Sequence, residues 1–283
     1  MKTHLASLVL VVGMLAPLGT VLAQPAMPAT KLNRASYSDY RQLAVDGDQI
    51  YFLRKNGQIL VEDASGFRVY DAATDGTKQI ATDHGTVFAL KSGGQLWRRA
   101  GEDSKWEQID TATGTKQMLA VANQLYVLKD DSTIWQFSNG NWTQIDNGGD
   151  SKALVGDRRG NLYVLKHNGN VWEYAGGWKQ IDTATGTRQI SAGHGLLYAL
   201  KGAGDIWRFD GSQWAQIDQS TGTHRIYASG EDLFAVKKDG AIWLWRNAGW
   251  TQVSKEDVVD AVVSRGKLYV LRPNGQVVYV DKS

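Results

Sequence analysis

Seven basic residues occupy one recurring place along the 283-residue chain: Arg54, Lys91, Lys129, Lys166, Lys201, Lys237 and Arg272. Each follows an aromatic residue and two small or apolar ones, as in Tyr126-Val127-Leu128-Lys129 and Tyr198-Ala199-Leu200-Lys201. A second set, Arg41, Lys78, Lys116, Arg188 and His224, recurs earlier in the same units, and Asp71, Asp110, Asp146, Asp182 and Asp218 recur later. Two chemistries are open to this pattern. Ammonium groups gathered around a concave mouth would focus a positive field and hold an anion or an acidic glycan. Lys91, Lys129, Lys166, Lys201 and Lys237 would then be the ligand-binding residues. Alternatively, the aspartates pair with the bases as surface ion pairs worth about 0–1 kcal/mol each, or fold the Thr-Gly loops that follow them as Asx turns.

Catalytic constellations are missing. No nucleophile, base and orienting group recur at a workable spacing, and no Gly-rich phosphate loop opens a helix. The chain has no Cys, hence no disulfide, thiolate metal site or Cys nucleophile. His84 and His194 share one repeat position, each flanked by Gly and remote from other ligand types. No metal or cofactor is therefore expected. Asp130-Asp131 and Glu231-Asp232 are too sparse for a calcium loop. The reading is a binding protein without enzymatic activity. A formal net charge of only +2 argues against nucleic acid or an acidic membrane surface as the main partner.

The elements that position these residues follow from the repeat. The aromatic that precedes each base falls at Tyr51, Phe88, Tyr126, Tyr163, Tyr198, Phe234 and Tyr269, at intervals of 37, 38, 37, 35, 36 and 35 residues. Gly stands six residues later in six copies, at Gly57, Gly94, Gly169, Gly204, Gly240 and Gly275, four of them in Asn-Gly or Asp-Gly pairs. Such pairs mark hairpin turns that need positive φ. Trp97, Trp135, Trp172, Trp207 and Trp243 follow the turn. A Trp-x-Gln-Ile-Asp segment comes next, as at Trp142 to Asp146 and Trp178 to Asp182. Each unit thus carries four short segments rich in Ile, Val, Leu, Tyr and Trp, separated by turn residues, with no 3.6-residue apolar period.

Four strands per unit at this period predict an all-β chain: a single seven-bladed β-propeller of four-stranded blades. The 11 Trp, ten of them in the two repeated columns, are expected mainly to pack between blades. The seventh copy ends after three segments. The segment around Thr30 to Ser36 is expected to pair with it as a fourth strand and close the ring. Ahead of this array, Lys2, the apolar run Leu5 to Leu22 and the small-residue step before Gln24 read as a secretory signal peptide. Residues 1–23 would be that leader and residues 24–283 the propeller, placed in the periplasm or outside the cell without stable membrane insertion.

The succession Trp-x-Gln-Ile-Asp, Gln-Ile, then Leu197-Tyr198-Ala199-Leu200-Lys201 with Ile206-Trp207 resembles the tectonin repeat. The resemblance covers all seven copies, over about residues 30 to 281. It implies a carbohydrate-binding propeller of the lectin type, with a glycan held in shallow pockets between blades or on the basic rim. The alternative partner is a protein docked on one face of a periplasmic or secreted scaffold.

Overall fold

The computed structural model describes residues 39–281, except Asp75, Arg158 and Arg265, together with the backbone of Thr30–Lys31. Seven antiparallel sheets are arranged as a ring, and no helix occurs among the described residues. Six blades run in simple sequence order over residues 40–71, 79–110, 115–146, 151–182, 187–218 and 223–255. Blade 3 is representative, with strands Thr115–Val121, Gln124–Lys129, Ile134–Ser138 and Asn141–Asp146 from channel to circumference. Blade 7 is built from Asp260–Ser264, Lys267–Leu271 and Val277–Asp281. The expected leader, residues 1–23, and the expected closing segment lie outside the described residues but for Thr30 and Lys31, which stand opposite Tyr279 and Val278.

The second strand explains why the blades stack. Leu125, Tyr126, Val127 and Leu128 are all buried, without the polar alternation of a half-exposed sheet. Side chains of a strand point to opposite faces in turn. Leu125 and Val127 therefore join the core shared with blade 2, while Tyr126 and Leu128 join the core shared with blade 4. Every core is a seam between two blades, so no blade is complete without its neighbours. Truncating one such Leu to Ala costs about 2–5 kcal/mol.

The seams carry polar fasteners as well. On the innermost strand of blade 3, Gln117 donates from Nε2 to Leu154 O (2.7 Å) and accepts Leu154 N–H at Oε1 (2.9 Å). Gln42 does the same to Ile80 and Gln189 to Ile226. The side-chain amide imitates a ladder partner for an edge strand that has none. On the outermost strands, the indole N–H of Trp142, Trp178, Trp214 and Trp250 donates to Ile109, Ile145, Ile181 and Ile217 of the preceding blade, at 2.7–3.1 Å. This column is inter-blade packing, as expected. Trp245 also has a column: it pairs across strands with Trp250 at 5.4 Å, as Phe137 does with Trp142 and Phe209 with Trp214.

Blade 7 meets blade 1 through the same devices. Tyr40, Leu43, Phe52 and Leu60 share a core with Tyr269, Leu271 and Val277. Asp260 stands where blades 1, 2, 3 and 5 carry Gln42, Gln79, Gln117 and Gln189, and accepts Leu43 N–H. Ser264 Oγ lies 3.4 Å from Gly47 O.

Candidate functional site

The loop joining the last strand of one blade to the first of the next lies at one end of the seam, and from blade 2 onward the repeated base of the second strand reaches it. Lys129 Nζ contacts Asp110 Oδ2 at 3.2 Å and Thr115 Oγ1 at 3.3 Å. Lys166 contacts Asp146 at 2.6 Å, Asp150 at 2.7 Å and Ser151 Oγ at 3.0 Å. Lys201 holds Asp182 and, at 2.6 Å, Thr187 Oγ1. Lys237 holds Asp218 at 3.0 Å, Ser220 Oγ at 2.7 Å and Thr223 Oγ1 at 2.7 Å. Lys91 is buried and donates to Thr77 Oγ1 at 2.8 Å. Arg272 makes the equivalent closure with Glu256, at 2.7 Å through Nε. Arg54 bonds Gln58 within its own hairpin.

Each of these aspartates does two jobs. Oδ1 of Asp110, Asp146, Asp182 and Asp218 accepts the backbone N–H two residues on, an Asx turn, while Oδ2 takes the lysine. Both structural alternatives open in the sequence are thus realised together. Desolvation pushes the Asp146 carboxyl up, but bonds from Lys166, Ser151 and Gly148 N–H more than offset it and hold it below the ordinary carboxylate range. Lys129, Lys166, Lys201 and Lys237, all expected to bind ligand, therefore have their charge compensated by a rim carboxylate. Of the second basic set, Arg41, Lys78, Lys116 and His224 are exposed. Lys78 Nζ donates to Ser92 O at 3.0 Å, and Arg188 donates to Thr223 O across a seam.

Cavities open beside two of these clasps. One, of about 490 Å³, lies at the blade 2/3 seam between the Asp110–Gly114 loop, Lys129, Trp135 and Trp142. Its counterpart at the 5/6 seam, about 600 Å³, lies between the Asp218–Gly222 loop, Lys237, Trp243 and Trp250. At three other seams the lysine amine stands over the outer-strand indole: Lys91 over Trp106 at 5.4 Å, Lys166 over Trp178 at 5.9 Å and Lys201 over Trp214 at 5.8 Å. Among the described residues, no amine caps Trp142 or Trp250 within the ~6 Å of such contacts. The two cavities and the two uncapped indoles coincide. The sequence marks the clasp bases, but the capping depends on side-chain trajectories across a seam that near-identical repeats do not distinguish.

His84 and His194 sit at positive φ (47° and 50°) in the turns after the first strands, at the opposite end of the ring. His84 Nδ1 lies 3.0 Å from Asp83 Oδ1, whose bond and charge raise the imidazole pKa. Among the described residues, no three His, Asp or Glu side chains are grouped to hold a metal ion.

No family model matches the chain, and no curated protein matches it. Solved structures match its fold. YCF48 bound to a D1 peptide superposes with a TM-score of 0.69 at 13% identity, covering 92% of this chain and 99% of that one. Human WBSCR16 gives 0.69 at 10% identity, covering 87% and 88%. BamB from Moraxella catarrhalis gives 0.58 at 13%, covering 84% and 81%. The chain is a seven-bladed β-propeller.

Proposed function

We propose that this propeller is an exported, non-catalytic binding protein that takes a non-acidic glycan in its seam pockets. One observation carries the reading: the two cavities open where an indole face is uncapped, beside a charge-compensated Lys–Asp clasp. An indole face suits the apolar face of a sugar ring. The clasp offers an ammonium donor, a carboxylate acceptor and Thr or Ser hydroxyls to its hydroxyl groups. Compensation of the lysines makes an acidic glycan the poorer ligand, because the pockets present little uncompensated positive charge. The tectonin-like repeat supports the same substrate class.

A glycan array probed with the full chain tests this reading. Binding to neutral oligosaccharides, weakened by Trp250→Ala, supports it. No glycan binding, with a protein recovered from the cell envelope instead, would overturn it in favour of protein docking. That second reading is favoured by the structurally similar YCF48, which was solved with a D1 peptide. Sequencing the N terminus of the native protein checks export, with a start at Gln24 as the expected result.

A further inference from the structure

The two open pockets repeat the same clasp and the same pair of Trp residues, but they are not electrostatically equivalent. The residue after the clasp lysine differs: Asp130 at the 2/3 seam, Lys238 at the 5/6 seam. Both are exposed at the pocket wall, and each donates its backbone N–H to the glycine carbonyl of the facing loop, Gly114 and Gly222. They therefore occupy the same place with opposite charge. The next residue is Asp in both, Asp131 and Asp239, and each carboxylate accepts the backbone N–H two residues on. The 2/3 pocket has one lysine against three aspartates, net −2. The 5/6 pocket has two lysines against two aspartates, net zero.

We propose that Asp130 and Lys238 set different ligand preferences in these pockets: the 2/3 pocket selects a sugar carrying an ammonium group, and the 5/6 pocket an uncharged one. This rests on the glycan reading above. An ammonium group entering the 2/3 pocket meets indole faces whose π-systems attract cations, and Trp142 has no lysine over it. It also meets Asp130 and Asp131, neither of which is paired to the clasp lysine, whose partner is Asp110. The same ammonium in the 5/6 pocket faces Lys238. Charges at such exposed sites act at short range and are screened by salt, so the discrimination is a low-ionic-strength property.

Calorimetric titration of the full chain with an N-acetylated β-1,4-glucosamine tetramer and its fully deacetylated, cationic counterpart tests the proposal. The titration is run at about pH 5, where the deacetylated tetramer is cationic, and in low salt, where charge is least screened. The expected result is one tight site for the cationic tetramer, with Asp130→Lys weakening it about tenfold, a difference of roughly 1.4 kcal/mol, and leaving the neutral tetramer within a factor of about two. Lys238→Asp should create a second cationic site. Tetralysine, a source of ammonium without a sugar ring, should bind at least about tenfold more weakly than the cationic tetramer; equal affinity would overturn the sugar assignment. If both tetramers bind but Asp130→Lys leaves their affinity ratio unchanged, this inference fails and the glycan reading stands. If neither tetramer nor any arrayed glycan binds, both fail.

Discussion

The Lys–Asp clasp is decided atom by atom. Lys201 and Asp182 are only 15% and 10% exposed, whereas Lys55 and Asp39 form a pair at 59% and 62%. Removing one partner of a poorly solvated pair strands the other, and that loss dominates. Lys201→Met should therefore destabilise the ring by about 2 kcal/mol in urea unfolding. Lys55→Met should change it by less than about 0.5 kcal/mol. Asp260 works in the opposite sense. Burial lifts its pKa above 3.8, so the folded chain favours the protonated acid, and stability present at low pH is lost as pH rises through the folded value. Asn at this position keeps the acceptor for Leu43 N–H and discards the charge. Asp260→Asn should raise stability at neutral pH and flatten this decline, read from melting temperatures across pH.

At the scale of strands and turns, seams are held by contacts that imitate a sheet where the sheet has ended. Gln117 serves both backbone groups of Leu154. Gln117→Leu strands them and should cost about 2–3 kcal/mol. Faster hydrogen exchange at the Leu154 amide, ahead of amides in distant blades, would be its signature. The hairpin glycines show the same closeness. Gly169 has φ +90°, and a Cβ there would lie 2.6 Å from Gly186 N in the next connecting loop. The sequence made the strands, turns and two Trp columns legible because each is a local pattern repeated in register. The clasp was legible as one of two alternatives, since the meander brings both chain positions to one rim. The Gln fastener was not, because its partner lies about 37 residues away and the side chain, not the strand, makes the bond. Nor was the third aromatic column of Phe137, Phe209 and Trp245, in which ring types vary although the position does not.

For the whole molecule, seven near-equal units give a ring whose seams differ in use. Three seams cap the outer indole with the clasp lysine, and two leave it open beside a cavity. The open pair are three blades apart, so a ligand repeating along a surface engages both only if its spacing matches that separation. Direct closure of blade 7 on blade 1 through Tyr40, Leu43, Tyr269 and Asp260 keeps this geometry fixed. The central claim is that the uncapped indoles are the binding surface. Indole N–H resonances of the 11 Trp residues, followed by NMR during titration with a neutral oligosaccharide that binds, test it most directly. For this neutral ligand the expected shifts are at Trp243 and Trp250 of the 5/6 pocket, with Trp106, Trp178 and Trp214 unmoved. Shifts confined to the capped indoles, or to none of the Trp residues while binding proceeds, would contradict it.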